Sequence, residues 1–195
     1  KDSNGQWTEY DLYSQFGCAV GTDPIVDEPD LRELTVVVMP LPGGEFYHFG
    51  TSREMISSTL AIQNIVNDQR EIKHYGHKPH PSIFIQNAKV DIPVKAENTN
   101  LWVENSFVGK HWKISHDNVI TGVPENDWHI TLSEGQCVDV VPIDDNNYVL
   151  RPYRIDDRFA GQQQQTKMFP IVNGNPENRE ARGELLKDML EGKAT

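Results

Sequence analysis

The feature that most constrains this chain is a spacing of six between residues 84 and 120. Phe84, Val90, Ala96, Trp102, Val108, Ile114 and Ile120 follow one another six apart without a gap. Four positions further on in each hexad stand Ala88, Val94, Asn100, Ser106, Trp112, Asn118 and Pro124. Most of these are small or turn-forming, and Trp112 is out of character. A short strand plus a corner, with one inward residue per hexad, produces this pattern, and three hexads close one coil of a parallel β-helix. The span therefore predicts two coils whose axis is filled by residues of that one phase, Trp102 and Ile114 among them. A meander of ordinary strands is the competing reading.

The flanks carry other periods. Leu12, Phe16 and Val20 lie at i, i+4 and i+8, which predicts a short helix over 9–20 ended by Gly21. The β-branched run Thr35–Met39 reads as a buried strand, and residues 45–49 as a second strand after the turn-forming 40–44. Thr51-Ser-Arg-Glu54 is a capping box, and a helix is predicted from there to about His74, where Gly76 and Pro79 stop it. Strands continue through 128–143, with a turn at Gly135, and a last one is expected over 148–155. Gln162–Gln165 and the Gly/Asn/Pro-rich stretch 170–176 read as a linker. Asn175-Pro176 opens a terminal helix with Ala181, Leu185 and Met189 on one face and Leu186 and Leu190 beside it. Gly183 weakens that helix, and its apolar stripe is expected to dock on a region outside the chain.

Charge narrows the partners. The chain of 195 residues carries a net charge of −11. Its first 33 residues hold eight acids (Asp2, Glu9, Asp11, Asp23, Asp27, Glu28, Asp30, Glu33) against Lys1 and Arg32. Such a surface repels a phosphate backbone, so nucleic acid is not an expected partner, whereas a few local donors still admit a small anion. The longest apolar run, Val36–Met39, is too short to span a membrane. Cys18 and Cys137 form no disulfide framework, which points to a reducing cytoplasm. The chain opens on Lys1, and the expectation is a piece of a longer protein.

The best seat for chemistry is 43–54. A strand ends at Gly50 and a helix begins at once, so free N–H groups and the helix dipole face whatever approaches. Gly50 admits a phosphate closely, Thr51 and Ser52 add hydroxyls, and Arg53 offers a bidentate clamp. An ordinary capped junction is the equal alternative. His74, His77 and His80 are poorly spaced for a metal, so no metal ligand is assigned. His111 and His116 lie in the solenoid, where a histidine base would suit a coenzyme-A-dependent acyltransferase, but no inserted loop accompanies either. Asp144-Asp145 and Asp156-Asp157 read as solvated loop pairs.

The string Leu41-Pro-Gly-Gly-Glu-Phe-Tyr-His-Phe-Gly-Thr-Ser-Arg-Glu-Met55 resembles the fucose-1-phosphate guanylyltransferase (GDP-fucose pyrophosphorylase) family, its bacterial bifunctional fucokinase members in particular. The likeness extends back through Tyr10–Gly21 and on through Ile120–Trp128. It implies guanylyl transfer from GTP to L-fucose 1-phosphate, giving GDP-L-fucose and pyrophosphate, with Mg2+ bound mainly outside this segment. It also implies a nucleotide-binding domain before these residues and a possible kinase domain after them. The fold expected is α+β. Residues 1–80 would be the end of an α/β nucleotidyltransferase-like domain. Residues 81–160 would be a parallel, left-handed β-helix, and 161–195 a linker and terminal helix. Within the resemblance His48 takes the place of the metal-holding Asp of related sugar nucleotidyltransferases, and is expected to be catalytic by stabilising developing negative charge. Glu45, Tyr47, Gly50, Thr51, Ser52 and Arg53 are the expected sugar-phosphate contacts. A non-catalytic assembly scaffold is the remaining alternative.

Overall fold

The computed structural model describes residues 4–6, 10–65, 79–158, 169–174 and 179–193. The chain divides into two compact units, 1–45 and 46–195.

In the first unit a π-helical turn, Leu12–Phe16, runs into a single α-helical turn, Gly17–Ala19. Asp11 caps it, its carboxylate accepting from the N–H groups of Tyr13 and Ser14. The predicted strand over 35–39 does not form. Those residues have no strand assignment, and Val37, Val38 and Met39 are 81–86% exposed. A strand's backbone groups need a ladder partner, and no strand lies among the described residues of this unit.

The predicted strand over 45–49 is likewise irregular, although Phe46 and His48, at the start of the second unit, do share a side, their rings stacked at 5.8 Å. Helix α1, Ser52–Gln63, starts where the capping box places it and ends at the C-cap Asn64. The remainder of the predicted helix, with His74 and His77, falls outside the described residues. His80 stacks on Phe84.

The hexads do form a β-solenoid, of about three turns. Its first side is built from β1 (Ile83–Gln86), β3 (Leu101–Glu104), β6 (Asn118–Thr121) and the start of β8 (Gln136–Pro142), all parallel. The second side pairs β2 (Lys89–Val90) with β4 (Phe107–Val108), and the third pairs β5 (Lys113–Ile114) with β7 (Thr131–Leu132). Beyond the last coil β8 turns antiparallel to β9 (Asn147–Arg154), which pairs with β10 (Ile171–Asn173).

The repeat is not strictly six throughout. Ile83 pairs with Leu101, eighteen residues on, but Leu101 pairs with Asn118, only seventeen on. A slip of one residue in a strand moves a side chain to the other face. Phe84 and Trp102 therefore share a face with Val119, not with Ile120, and all three pack outward against Ile56 of α1. The axis is filled by Leu101, Val103, Val108, Ile120 and Val138, with Val90 and Ile114 partly buried against them. Trp102 is thus core, but of the layer beneath α1, and Ala96 is exposed. Trp112, the misfit at a corner position, is buried in the axial cluster, its Nε1 donating to Asn126 Oδ1 at 3.1 Å.

Two corners run as ladders of left-handed residues. Asn87, Asn105 and Gly122 stack at one, and Asn100, Asp117 and Gly135 at the other, with φ between 45° and 71°. Asn and Asp tolerate this region better than most residues because their short side chains bond locally. Here Asn87 Nδ2 donates to Asn105 Oδ1, and Asn100 Nδ2 to Asp117 Oδ1.

The terminal helix α2, Arg179–Leu190, corrects an expectation: it docks on the solenoid of its own chain. Leu186 is fully buried in the axial cluster with Trp128, Ile130, Leu132 and Leu150, and Leu185 and Leu190 pack beside it. Gly183 is the point of closest approach, where a Cβ would overlap the indole of Trp128. It is therefore a packing device as well as a propensity loss. Gly183→Val is expected to cost about 1–3 kcal/mol through overpacking, read as a fall in the urea midpoint. Unchanged stability would mean that α2 does not rest on Trp128.

Candidate functional site

The local chemistry begins with the cap of α1. Thr51 is extended (φ −133°, ψ 163°), so its Oγ1 can accept from Glu54 N–H at 3.2 Å while donating to Glu54 Oε2 at 3.0 Å. His48 Nδ1 lies 3.0 Å from the same Oε2. The His48 hydrogen bond, followed by that of Thr51, holds the Glu54 carboxyl below its ordinary range. Ser58 Oγ donates to the His48 carbonyl at 2.5 Å. The imidazole folds over Gly50, where a Cβ would strike it.

These residues line a cleft of about 630 Å³, opposite side chains of β9 and the segment after it. It is lined by His48, Gly50, Thr51, Ser52 and Glu54 at the start of α1, and by Arg151, Tyr153, Asp157 and Arg158. Arg151 is held 3.3 Å from Asp139 and lies over the Tyr153 ring. Burial pushes the Tyr153 phenol well above its usual value, and it hydrogen-bonds Ser52. It stays a neutral hydroxyl at physiological pH. The cleft thus sets two guanidinium groups and the positive end of a helix dipole beside the carboxylates of Glu54 and Asp157; the guanidinium groups and the dipole are the part suited to a phosphate.

Four of the seven residues singled out from the sequence therefore meet in one cleft. Tyr47 is half-buried nearby in sequence, and Glu45 is the exposed last residue of the first unit. Arg53 faces a neighbouring cleft of about 550 Å³. There its Nε and Nη2 grip Asp156 at 2.6 and 2.8 Å, and its Nη1 donates to Asp117 Oδ1 at 2.7 Å. The Asp156 bond, followed by that of Asp117, raises the guanidinium further. Asp117 is nearly buried; desolvation works against its charge, yet bonds from His116, Asn100 and Arg53 lower its pKa overall. Asp144 is a solvated turn residue as expected, accepting from the N–H groups of Asn146 and Asn147. Asp156 is instead a clamp on Arg53.

Arg151, Arg158, Asp117 and Asp156 are the site residues that sequence reasoning missed. Asp156 reads in the sequence as half of a solvated loop pair, and strict spacing assigns the corner that Asp117 occupies to Asn118. Of the two solenoid histidines, His111 stacks on His129 at 4.2 Å, and His116 bonds Asp117. His116, Asp117 and Glu134 are close enough to share an ion. That set includes an imidazole, which does not suit the all-oxygen octahedral preference of Mg2+. These residues are therefore not assigned to Mg2+. Among the described residues no helix is long and apolar enough to cross a membrane.

Together these features define an α+β protein in which a β-solenoid and a capped helix border a polar cleft that holds two arginines. In sequence the chain is 53% identical over 167 residues to the L-fucokinase/L-fucose-1-P guanylyltransferase of Bacteroides fragilis. The chain belongs to that family, and the match takes in 86% of its residues and 18% of the relative's length. No protein-family model matches the chain, and no solved structure matches it.

Proposed function

We propose that this chain supplies the sugar-phosphate contacts and the solenoid of an L-fucose-1-phosphate guanylyltransferase. In that reaction a phosphate oxygen of L-fucose 1-phosphate attacks the α-phosphorus of GTP. The new P–O bond replaces the α–β bridge, and pyrophosphate leaves with the bridging electrons. The observation that carries the reading is the cleft in which Gly50, Thr51 and Ser52 face Arg151 and Arg158. The family supports the sugar: its curated relative bears fucokinase and guanylyltransferase activities in its name.

In this reading the two guanidinium groups hold the sugar phosphate, and the Thr51 and Ser52 hydroxyls orient it. His48 is the catalytic residue: as an imidazolium, with Nδ1–H bonded to Glu54, it donates from Nε2 to charge that builds on the transferring phosphoryl group. The Glu54 carboxylate at Nδ1 fixes that ring. GTP, Mg2+ and the kinase chemistry belong to other parts of the full-length protein, a division that the 18% share of the relative supports. The solenoid is read as left-handed, and the setting as cytoplasmic.

Arg158 is exposed, so its removal leaves the fold intact. In the full-length protein, Arg158→Ala is expected to raise KM for L-fucose 1-phosphate about tenfold or more, the loss of one charge-assisted bond. His48→Ala is expected to lower kcat. Wild-type constants in both variants would remove the cleft from the reaction.

A further inference from the structure

The neighbouring cleft, where Arg53 meets the solenoid, has a separate chemistry. His116, Asp117 and Glu134 each bring a donor atom within 4.8 Å of the others. Asp117 is already saturated: Oδ1 accepts from Arg53 and Asn100, and Oδ2 lies 2.6 Å from His116 Nδ1. A carboxylate at Nδ1 fixes the proton there and turns the Nε2 lone pair outward. This is how a second carboxylate orients a metal-bound histidine.

Nε2 faces Glu134, with 3.6 Å to its Oε2. Two donors at about 2.0–2.1 Å from one tetrahedral Zn2+ stand about 3.3 Å apart. A shift of a few tenths of an ångström in an exposed glutamate closes that difference. Charge does not oppose a cation. Among the described residues that line the cleft, Asp117, Glu134 and Asp156 outnumber Arg53 and Arg154, a negative balance while the imidazole is neutral. The Asp117 bond, followed by the Glu134 charge, raises the pKa of that imidazole, so a bound ion displaces a proton from it. An imidazole with a carboxylate selects zinc and its neighbours over magnesium.

We propose that His116 Nε2 and the Glu134 carboxylate bind a zinc-class divalent ion at this solenoid corner, with Asp117 as the positioning residue. Among the described residues two protein donors reach the ion, which leaves positions for water or an anionic ligand. The site is independent of the sugar-phosphate reading.

Titration calorimetry of the 195-residue chain with Zn2+ near neutral pH tests it. One ion per chain is expected. Glu134→Gln and His116→Ala should each weaken binding at least tenfold. Glu134 is exposed, so its variant keeps the fold, which circular dichroism verifies. His111→Ala, at the other histidine pair, should bind as wild type does. No binding by wild type, undiminished binding by Glu134→Gln and His116→Ala, or loss of binding in His111→Ala would each overturn the assignment.

Discussion

Trp112→Ala is expected to lower folding stability by about 3–5 kcal/mol, the range for emptying a buried aromatic site. The indole is 3% exposed and sits in the axial cluster with Val108, Val123, Trp128 and Ile130. A solenoid has little means of collapsing around the loss, because each coil's ladder is fixed by the coils on both sides. The polar end adds a second cost. Asn126 is buried and fully engaged: Oδ1 accepts from Trp112 Nε1 and Trp128 N–H, and Nδ2 donates to the carbonyls of Phe107 and Pro124. Removing the indole takes away one of those bonds. Trp112→Phe keeps most of the volume and is expected to lose less than half as much. Urea unfolding separates the outcomes, with a lower midpoint at unchanged slope. A loss under about 1 kcal/mol for Trp112→Ala would place this residue outside the axis.

The same residue shows why the solenoid was legible in the sequence while its interior was only half so. Period six reports the coil, because each side repeats a strand and a corner. It does not report the face, because a strand alternates faces with period two and one residue dropped between Val108 and Asn118 reverses the phase. Phe84, Trp102 and Ile120 look equivalent by spacing. In three dimensions the first two support α1 and the third fills the axis. The misfit Trp112 was the sign of that irregularity, which the unbroken hexads concealed. The terminal helix was legible as an amphipathic element, but its docking partner was not. Nothing in its own spacing distinguishes Trp128 of the same chain from a surface elsewhere. The 35–39 run carries strand propensity without a ladder, and propensity alone does not make a strand.

The candidate site was legible to the extent that it is local. A capping box preceded by glycine is a statement about adjacent residues, and Thr51, Glu54 and Gly50 behave accordingly. Arg151 and Arg158 lie about a hundred positions away and enter the cleft only because β9 returns antiparallel along β8. The destination of Arg53 depends in the same way on a solenoid corner, 64 residues distant in sequence, and on Asp156, 103 distant. Long-range electrostatics of this kind leave no spacing to read.

The largest backbone effect is expected at Gly122, where the ladder of Asn87 and Asn105 ends in glycine. Two causes act there. The residue has φ +66°, and a Cβ would collide with the carbonyl oxygen of Val140 on the next strand. Asparagine separates them, since Asn87 and Asn105 already adopt this conformation at the same corner. Gly122→Asn therefore meets mainly the collision and is expected to cost about 1–3 kcal/mol, as other overpacked sites do. Gly122→Val adds the left-handed penalty of about 1–2 kcal/mol for a side chain that does not bond locally, and is expected to lose the sum. The obstruction is backbone, which cannot swing aside as a side-chain terminus does. Relief requires parting β6 from β8 where Ile120 pairs with Val138. Thr121 Oγ1 donates to Asp139 at 2.7 Å in the same rung, and Asp139 in turn holds Arg151 in the cleft. The valine variant should therefore weaken sugar-phosphate binding as well as stability, and Gly122→Asn should do so to a lesser degree. Equal stabilities of wild type and Gly122→Asn in urea would show that the corner has room for a side chain and that conformation alone selects glycine.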